Sequence, residues 1–381
     1  MTDGGEMVPV NWFVPTRIHF GRGSLERHLP DATQYGRRAF VVTGRRFAKE
    51  TGLLNRVVAI LGGCGMQTVV FSEVEPEPTV AHAERAGELC RREGCDCVVA
   101  VGGGSPLDAG KVAAVLATNP APLTQYFGET KLAQRPLPVV AVPTTCGTGS
   151  EVTRYAVIVS PADRTKKTVA SEGILPALAV VDPDLLDTLP DRLIAATGMD
   201  ALCHAVEGLL SVKKNGLSAI LARDAIARLA WWLPLAVEDR QGDAREQVMF
   251  ASLTAGLVIN TTGTILVHGM GYALTVGRGV HHGTANGLLV DPVLSFLAQH
   301  GYCSEVEEVR TLMGRFRPAD FLRRAGLPVS LRDIGMAPEE IPELASLAEV
   351  GCQRSFRNMK KPLSRQEIEE ILLRCANGRE R

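Results

Sequence analysis

The chain has 381 residues with 41 basic and 42 acidic side chains, a formal net charge of -1. This balance argues against nucleic acid or an anionic membrane surface as a bulk partner. At roughly 150 residues per domain the length suggests about two domains, and 45% hydrophobic with 22% charged residues excludes a largely disordered chain.

The 38 glycines, 22 prolines and 5% aromatics fit a turn-rich α/β enzyme and exclude a collagen, a coiled coil or a disulfide-stapled mini-protein. Nine cysteines contain no CxxC pair and read as free thiols of a reducing compartment. The start MTDGGEMVPV lacks a basic region followed by an apolar core, so no secretion signal is expected. Apolar stretches such as Ala177–Val181 fall far short of the roughly 20 residues that cross a bilayer. The expectation is a cytoplasmic, non-membrane protein.

Short β-branched runs come first: AFVVT (39–43), QTVVFS (67–72), CVVAV (97–101), LPVVAV (137–142) and LAVVD (178–182). Amphipathic segments such as TVAHAERAGELCRRE (79–93) stand between several of them. That alternation predicts a mostly parallel, doubly wound sheet over residues 1–186. RYAVIVS (154–160), PADR and TKKTVAS (165–171) predict a hairpin. Beyond Leu186 the period becomes helical, as in RLIAATGMDALCHAVEGLLS (192–211), LSAILARDAIARLAWWLPLAVE (217–238) and RQEIEEILLRCANG (365–378). An all-α domain over 187–381 is expected, with the active site in the cleft between the two.

Two strand ends carry loops built for a nucleotide. GGGSPLDAGK (102–111) places glycines and a serine between a strand and a helix, where backbone N–H groups and the helix dipole can cradle a phosphate. It fits neither Walker A nor GxGxxG, and GRGS (21–24) is too isolated to serve. PTTCGTGSE (143–151) ends the next strand, so the two loops can grip two parts of one extended cofactor. After Thr43 come Gly44, Arg45 and Arg46, where a ribose 2′-hydroxyl would call for a carboxylate. An arginine pair suits a 2′-phosphate, which places NADP(H) ahead of NAD(H).

In the second half, Asp200 and His204 are four positions apart on an expected helix and share one face. His268, His281 and His282 fall in the apolar, Gly-rich stretch TILVHGMGYALTVGRGVHHGTANG (264–287), where burial demands a partner. One carboxylate and three imidazoles suit a divalent transition metal with room for a substrate oxygen. His268 is placed mid-helix, and one of His281 and His282 completes the set.

These motifs occur in the order of a known family, from FGRGS through EVEPEPT (73–79), GGGSPLDAGK, PTTCGTGSEVT, VDPDLLDTLP and GMDALCHAVE to VHGMGY and HHGTANG. The chain resembles the iron-containing (group III) alcohol dehydrogenases over nearly its whole length. The resemblance implies metal ligands at Asp200, His204, His268 and His282, the last because it precedes a glycine fourteen residues beyond His268. It implies pyrophosphate contacts at Gly103, Gly104 and Ser105, with Asp108 in the GGGSxxD position, and nicotinamide-side contacts at Thr144, Thr145 and Thr148. Lys166 or Lys167 stands near the nicotinamide ribose, and Gly44 accompanies NADP use. Fe(II) is the family's metal; the donor types admit Zn(II) and Co(II) equally.

Three departures from the family pattern stand out. Tyr272 replaces a histidine often found near the proton path, His281 replaces a proline and is a candidate for proton exchange, and Glu77 replaces an asparagine. The implied chemistry is reversible oxidation of a small alcohol to an aldehyde or ketone by hydride transfer, in a homodimer or larger assembly. Cys203 and Cys146 read as packing residues rather than nucleophiles. The rival readings are a lyase similar to dehydroquinate synthase, which needs several cations in the cleft, and a non-catalytic nucleotide-binding protein. The segment around the expected metal is dominated by Gly, Leu, Val and Thr, with Arg278 the main exception, which argues against the lyase.

Overall fold

The computed structural model describes residues 10–119, 122–238 and 242–376. Its strands are β1 (Arg17–Phe20), β2 (Arg38–Gly44), β3 (Gln67–Val74), β4 (Cys97–Gly102), β5 (Gly128–Glu129), β6 (Val139–Pro143), β7 (Tyr155–Ser160), β8 (Thr165–Ala170) and β9 (Leu178–Val181). Helices α1 (Ser24–His28), α2 (Phe47–Glu50), α3 (Leu53–Gly63), α4 (Val80–Arg92) and α5 (Gly104–Thr118) lie among them. After β9 come only helices: α6 (Asp191–Leu210), α7 (Gly216–Glu238), α8 (Gly242–Thr262), α9 (Leu266–Arg278), α10 (His282–Gln299), α11 (Cys303–Met313), α12 (Pro318–Arg324), α13 (Ile341–Cys352) and α14 (Arg365–Ala376).

Six strands pair in parallel in the order β1-β9-β6-β4-β2-β3. Successive side chains leave opposite faces, and both faces are covered. Val41, Val99 and Val101 pack with Leu53, Val57 and Leu61 of α3, while Phe40, Val98 and Ala100 pack with Ala86 of α4 and Leu107 and Ala113 of α5. This explains why the strands read as unbroken apolar runs. The expected hairpin is present as antiparallel β7 and β8, with β5 alongside β8 in a second, three-stranded sheet. β1 and the two-residue β5 were too short to stand out in the sequence.

The expected helical stretches fold as α6, α7 and α14, although Asn377 and Gly378 of the last lie outside the described residues. Residues 1–9 of the expected first domain also lie outside them. One expectation needs correction. α6 has 20 residues and is apolar enough by length and composition to cross a membrane, although Asp200, His204 and Glu207 interrupt it so that it holds no continuous apolar run of that length. Its most apolar window is 94% buried within the protein, so it is the central helix of the second core rather than a lipid-facing one. All nine cysteines are unpaired. GRGS is a structural turn, since Asp182 at the end of β9 accepts from the N–H groups of Gly23 and Leu25.

Candidate metal and cofactor site

Asp200, His204 and Glu207 project from one face of α6, and all three are buried. α9 packs across this face. His268 is its third residue, in the first turn rather than mid-helix as expected, because the chain breaks at Gly263–Ile265 before α9 begins. The Nε2 atom of His268 lies 3.3 Å from Asp200 Oδ1, and the His204 and His268 rings stack at 4.2 Å. Asp200, His204 and His268 bring ligand atoms within 4.8 Å of one another. The His282 Nε2 atom, at the start of α10, lies 3.9 Å from Asp200 Oδ1. Gly283 makes this approach possible, since a Cβ there would stand 2.0 Å from the carbonyl oxygen of Ala196 on α6.

Groups behind these side chains fix their orientation. His204 Nδ1 donates to the Gly147 carbonyl at 3.1 Å, and His268 Nδ1 donates to Glu207, whose other oxygen accepts from Val267 N–H at 2.6 Å. Asn286 Nδ2 donates to Asp200 Oδ1 at 2.7 Å. The sequence reading missed Glu207 and Asn286, although Glu207, three residues beyond His204, shares its helix face. His268 Nε2 is buried without a hydrogen-bond partner. A buried imidazole nitrogen, a second imidazole and a carboxylate oxygen that converge in this way are a donor set suited to a divalent cation.

Charge follows from this geometry. Burial raises the Asp200 carboxyl, but the surrounding imidazoles outweigh it and hold the group well below the usual range. Burial, aided by His268, lowers His204 to about 4. Burial also lowers His268, yet Glu207 and Asp200 overcome it and hold that ring at about 9. The two carboxylates thus favour positive charge at this point of the site, which a divalent cation can supply.

The two Gly-rich loops meet at the carboxyl ends of β4 and β6. A Cβ on Gly104 would stand 2.7 Å from Thr148 Cγ2, so the loops approach this closely only with glycine at that position. Gly44, Arg45, Gly103, Gly104, Ser105, Asp108, Thr145 and Thr148 line the same cleft, of about 1280 Å³, as Asp200, His204, His268 and His282. Thr144 does not; it is buried beneath its loop, with its N–H bonded to Gly102. Asp108 accepts from Ser150 Oγ at 2.6 Å and Val157 N–H at 2.8 Å, which braces α5 against β7. Cys146 and Cys203 are fully buried, and burial raises both thiols above their ordinary pKa.

Lys166 and Lys167 separate clearly. Lys166 is buried and pairs with Glu77 at 2.6 Å, whereas Lys167 is half-buried and pairs with Asp163. Glu77 sits at φ 59, a left-handed conformation that asparagine tolerates better than glutamate. Lys166 Nζ lies 5.3 Å above the Tyr272 ring, which stacks on His282 at 5.2 Å. His281 caps α10 and lines the cleft. Arg45, exposed, is paired with Glu75 at 2.6 Å. The segment around the expected metal holds no lysine or arginine but Arg278, yet the cleft is not poor in cations, because other segments supply them. Arg278 pairs with Glu340 and does not line the cleft, while Arg154, Lys166, Lys213, Arg354 and Arg357 do. They come from β7, β8 and the segments after α6 and α13, which only packing brings together.

A parallel sheet with a cleft at its strand ends, closed by a helical layer that carries a buried carboxylate among imidazoles, marks an α/β enzyme with its site at the carboxyl ends of the strands. The chain belongs to the iron-containing alcohol dehydrogenase family. The family model "Iron-containing alcohol dehydrogenase" matches residues 15–183, and "Fe-containing alcohol dehydrogenase family, C-terminal" matches residues 194–376. The chain is 34% identical over 357 residues to 1,3-propanediol dehydrogenase of Klebsiella pneumoniae, covering 88% of this chain and 90% of that one. It is 32% identical over 287 residues to the NAD-dependent methanol dehydrogenase of Bacillus methanolicus, 75% of each chain. The crystal structure of an iron-containing alcohol dehydrogenase from Thermotoga maritima matches with a TM-score of 0.88 at 31% identity, covering 96% of this chain and 99% of that one. The protein is an oxidoreductase of alcohols and aldehydes.

Proposed function

We propose that the protein is an NADP(H)-linked, Fe(II)-dependent aldehyde reductase and alcohol dehydrogenase acting on small substrates in the cytoplasm. The observation that carries the reading is the convergence of the buried His268 Nε2 on Asp200 Oδ1 at 3.3 Å, with the His204 ring stacked beside it and the other His268 nitrogen locked by Glu207. This donor set fits a divalent cation held by Asp200, His204, His268 and His282, with Zn(II) the alternative. Such a cation, when bound, supplies Lewis-acid chemistry to an alcohol or carbonyl oxygen.

The remaining roles belong to the chain's own residues. Gly103, Gly104, Ser105 and the N-terminus of α5 receive a pyrophosphate, and Thr145 and Thr148 orient the nicotinamide side. Lys166, held by Glu77, faces the ribose. Tyr272, a phenol that is protonated at neutral pH and that burial makes a weaker acid still, donates to the substrate oxygen. His281, exposed at the cleft, passes the proton to solvent. Arg45 and Arg46 beside Gly44 favour NADP(H) over NAD(H).

Steady consumption of NADPH with a simple aldehyde tests the reading. Asp200→Ala and His268→Ala are expected to lose hydride transfer while still binding NADPH by fluorescence titration. Full turnover in either variant would overturn it.

A further inference from the structure

Beyond the ligands, the same cleft has a wing that the proposed reaction leaves unused. It is built by Arg154 and Tyr155 at the start of β7, Lys213 after α6, and Arg354 and Arg357 after α13. The Arg354 guanidinium lies 4.6 Å from the centre of the Tyr155 ring, and Arg154 approaches the same ring at 5.5 Å. Glu129 is within 3.9 Å of Arg154 and 3.8 Å of Arg357, and Glu172 acts on Arg154 at longer range. Neither Arg354 nor Lys213 has a side-chain ion pair or hydrogen bond among the described residues. Four cations, Arg154, Lys213, Arg354 and Arg357, thus face two carboxylates, Glu129 and Glu172, which leaves the wing with an excess of positive charge.

This wing is anchored beside the metal ligands. A Cβ on Gly351 would stand 2.3 Å from the carbonyl oxygen of Gly269, the residue after His268, so the end of α13 is pressed against α9. Val212 N–H bonds to the Asn358 carbonyl at 2.9 Å, which ties the segment after α6 to the one that carries Arg354. The Arg354 charge reaches Tyr272, which stacks on His282. Burial, with Arg357 adding to it, lowers the pKa of Arg354; burial followed by Arg357 does the same for Lys213. Glu129 offsets part of this for both cations, and an anion bound between them would offset more.

We propose that Arg354, supported by Lys213 and fixed by the Tyr155 ring, is a subsite for an anionic group, and that the substrate is a short aldehyde or alcohol whose far end carries a carboxylate, sulfonate or phosphonate. The proposal rests on the aldehyde reductase reading above. A planar guanidinium held on an aromatic face presents paired donors that suit such oxyanions. A neutral chain of the same length leaves those donors unpaired, and discrimination follows from that deficit.

Two measurements test this. In the first, kcat/KM with NADPH is compared for butyraldehyde, succinic semialdehyde, sulfoacetaldehyde and phosphonoacetaldehyde in wild type, Arg354→Met and Arg354→Lys. At least one anionic aldehyde is expected to exceed butyraldehyde in wild type, and the ratio is expected to fall ~100-fold in Arg354→Met and to recover in part in Arg354→Lys. An unchanged ratio, or a matching rise in the Kd of NADPH that assigns the guanidinium to the cofactor's phosphates, overturns the proposal. In the second, calorimetry measures binding of propionate, ethanesulfonate and ethylphosphonate without turnover. A tenfold or greater weakening in Arg354→Met is expected, and equal binding overturns the subsite. Arg354-dependent anion binding in a protein that reduces no aldehyde would refute the reductase reading alone.

Discussion

His268 presents one nitrogen to Glu207 and the other toward Asp200, which makes Glu207 a determinant of cation affinity without touching the cation. Glu207→Gln keeps the shape but loses the charge that orients and enriches the imidazole. The Kd for Fe(II) is expected to rise about 10- to 100-fold, read by anaerobic titration, and an unchanged Kd would reduce Glu207 to packing. Glu75 acts in the same indirect way on the cofactor, because it already occupies Arg45. Glu75→Gln frees that guanidinium, and the ratio of kcat/KM for NADPH over NADH is expected to rise roughly threefold or more, within the range of an exposed ion pair. No change in that ratio would show that Arg45 does not read the 2′-phosphate.

Packing between elements decides where these residues stand. α10 reaches α6 through Gly283, with its Cβ position overlapping the Ala196 carbonyl, a backbone atom that cannot swing aside. Gly283→Ala therefore forces the two helices apart and displaces His282. A stability loss of about 1–3 kcal/mol is expected, together with weaker metal binding, and a variant with wild-type melting and affinity would contradict the packing argument. On α5 and the loop after β6, Lys111, Asp108 and Glu151 form a buried charged group. Burial pushes the Glu151 carboxyl up from 4.5 to about 7. Between those values the native protein keeps a proton that the unfolded chain releases, so this group makes stability fall as pH rises through that window. Denaturant melts at pH 5 and pH 8 are expected to show a smaller decline for Glu151→Gln than for wild type. An identical decline would mean that Glu151 ionises normally.

At the scale of the whole molecule, the sheet and the helical layer were readable because each has a local signature, whereas the choice of His282 over His281 for the proposed ligand set came only from the family resemblance. Apolar runs mark the strands of a doubly covered sheet, and Asp200 with His204 marks one helix face. The basic wing was not readable. Arg154, Lys213 and Arg354 are far apart in the chain and none has a motif, so only the docking of α13 on α9 reveals them. The same is true of Glu77 with Lys166, a pair fixed by the second sheet, whereas Thr144 shows the reverse error, a motif residue that packing turns inward.

The account depends on one cation per chain at the junction of α6, α9 and α10. Metal content after anaerobic reconstitution with Fe(II) and removal of free metal tests it most directly. Wild type is expected to retain about one equivalent per chain, and His268→Ala well under a tenth of that. Full retention in His268→Ala would contradict the site.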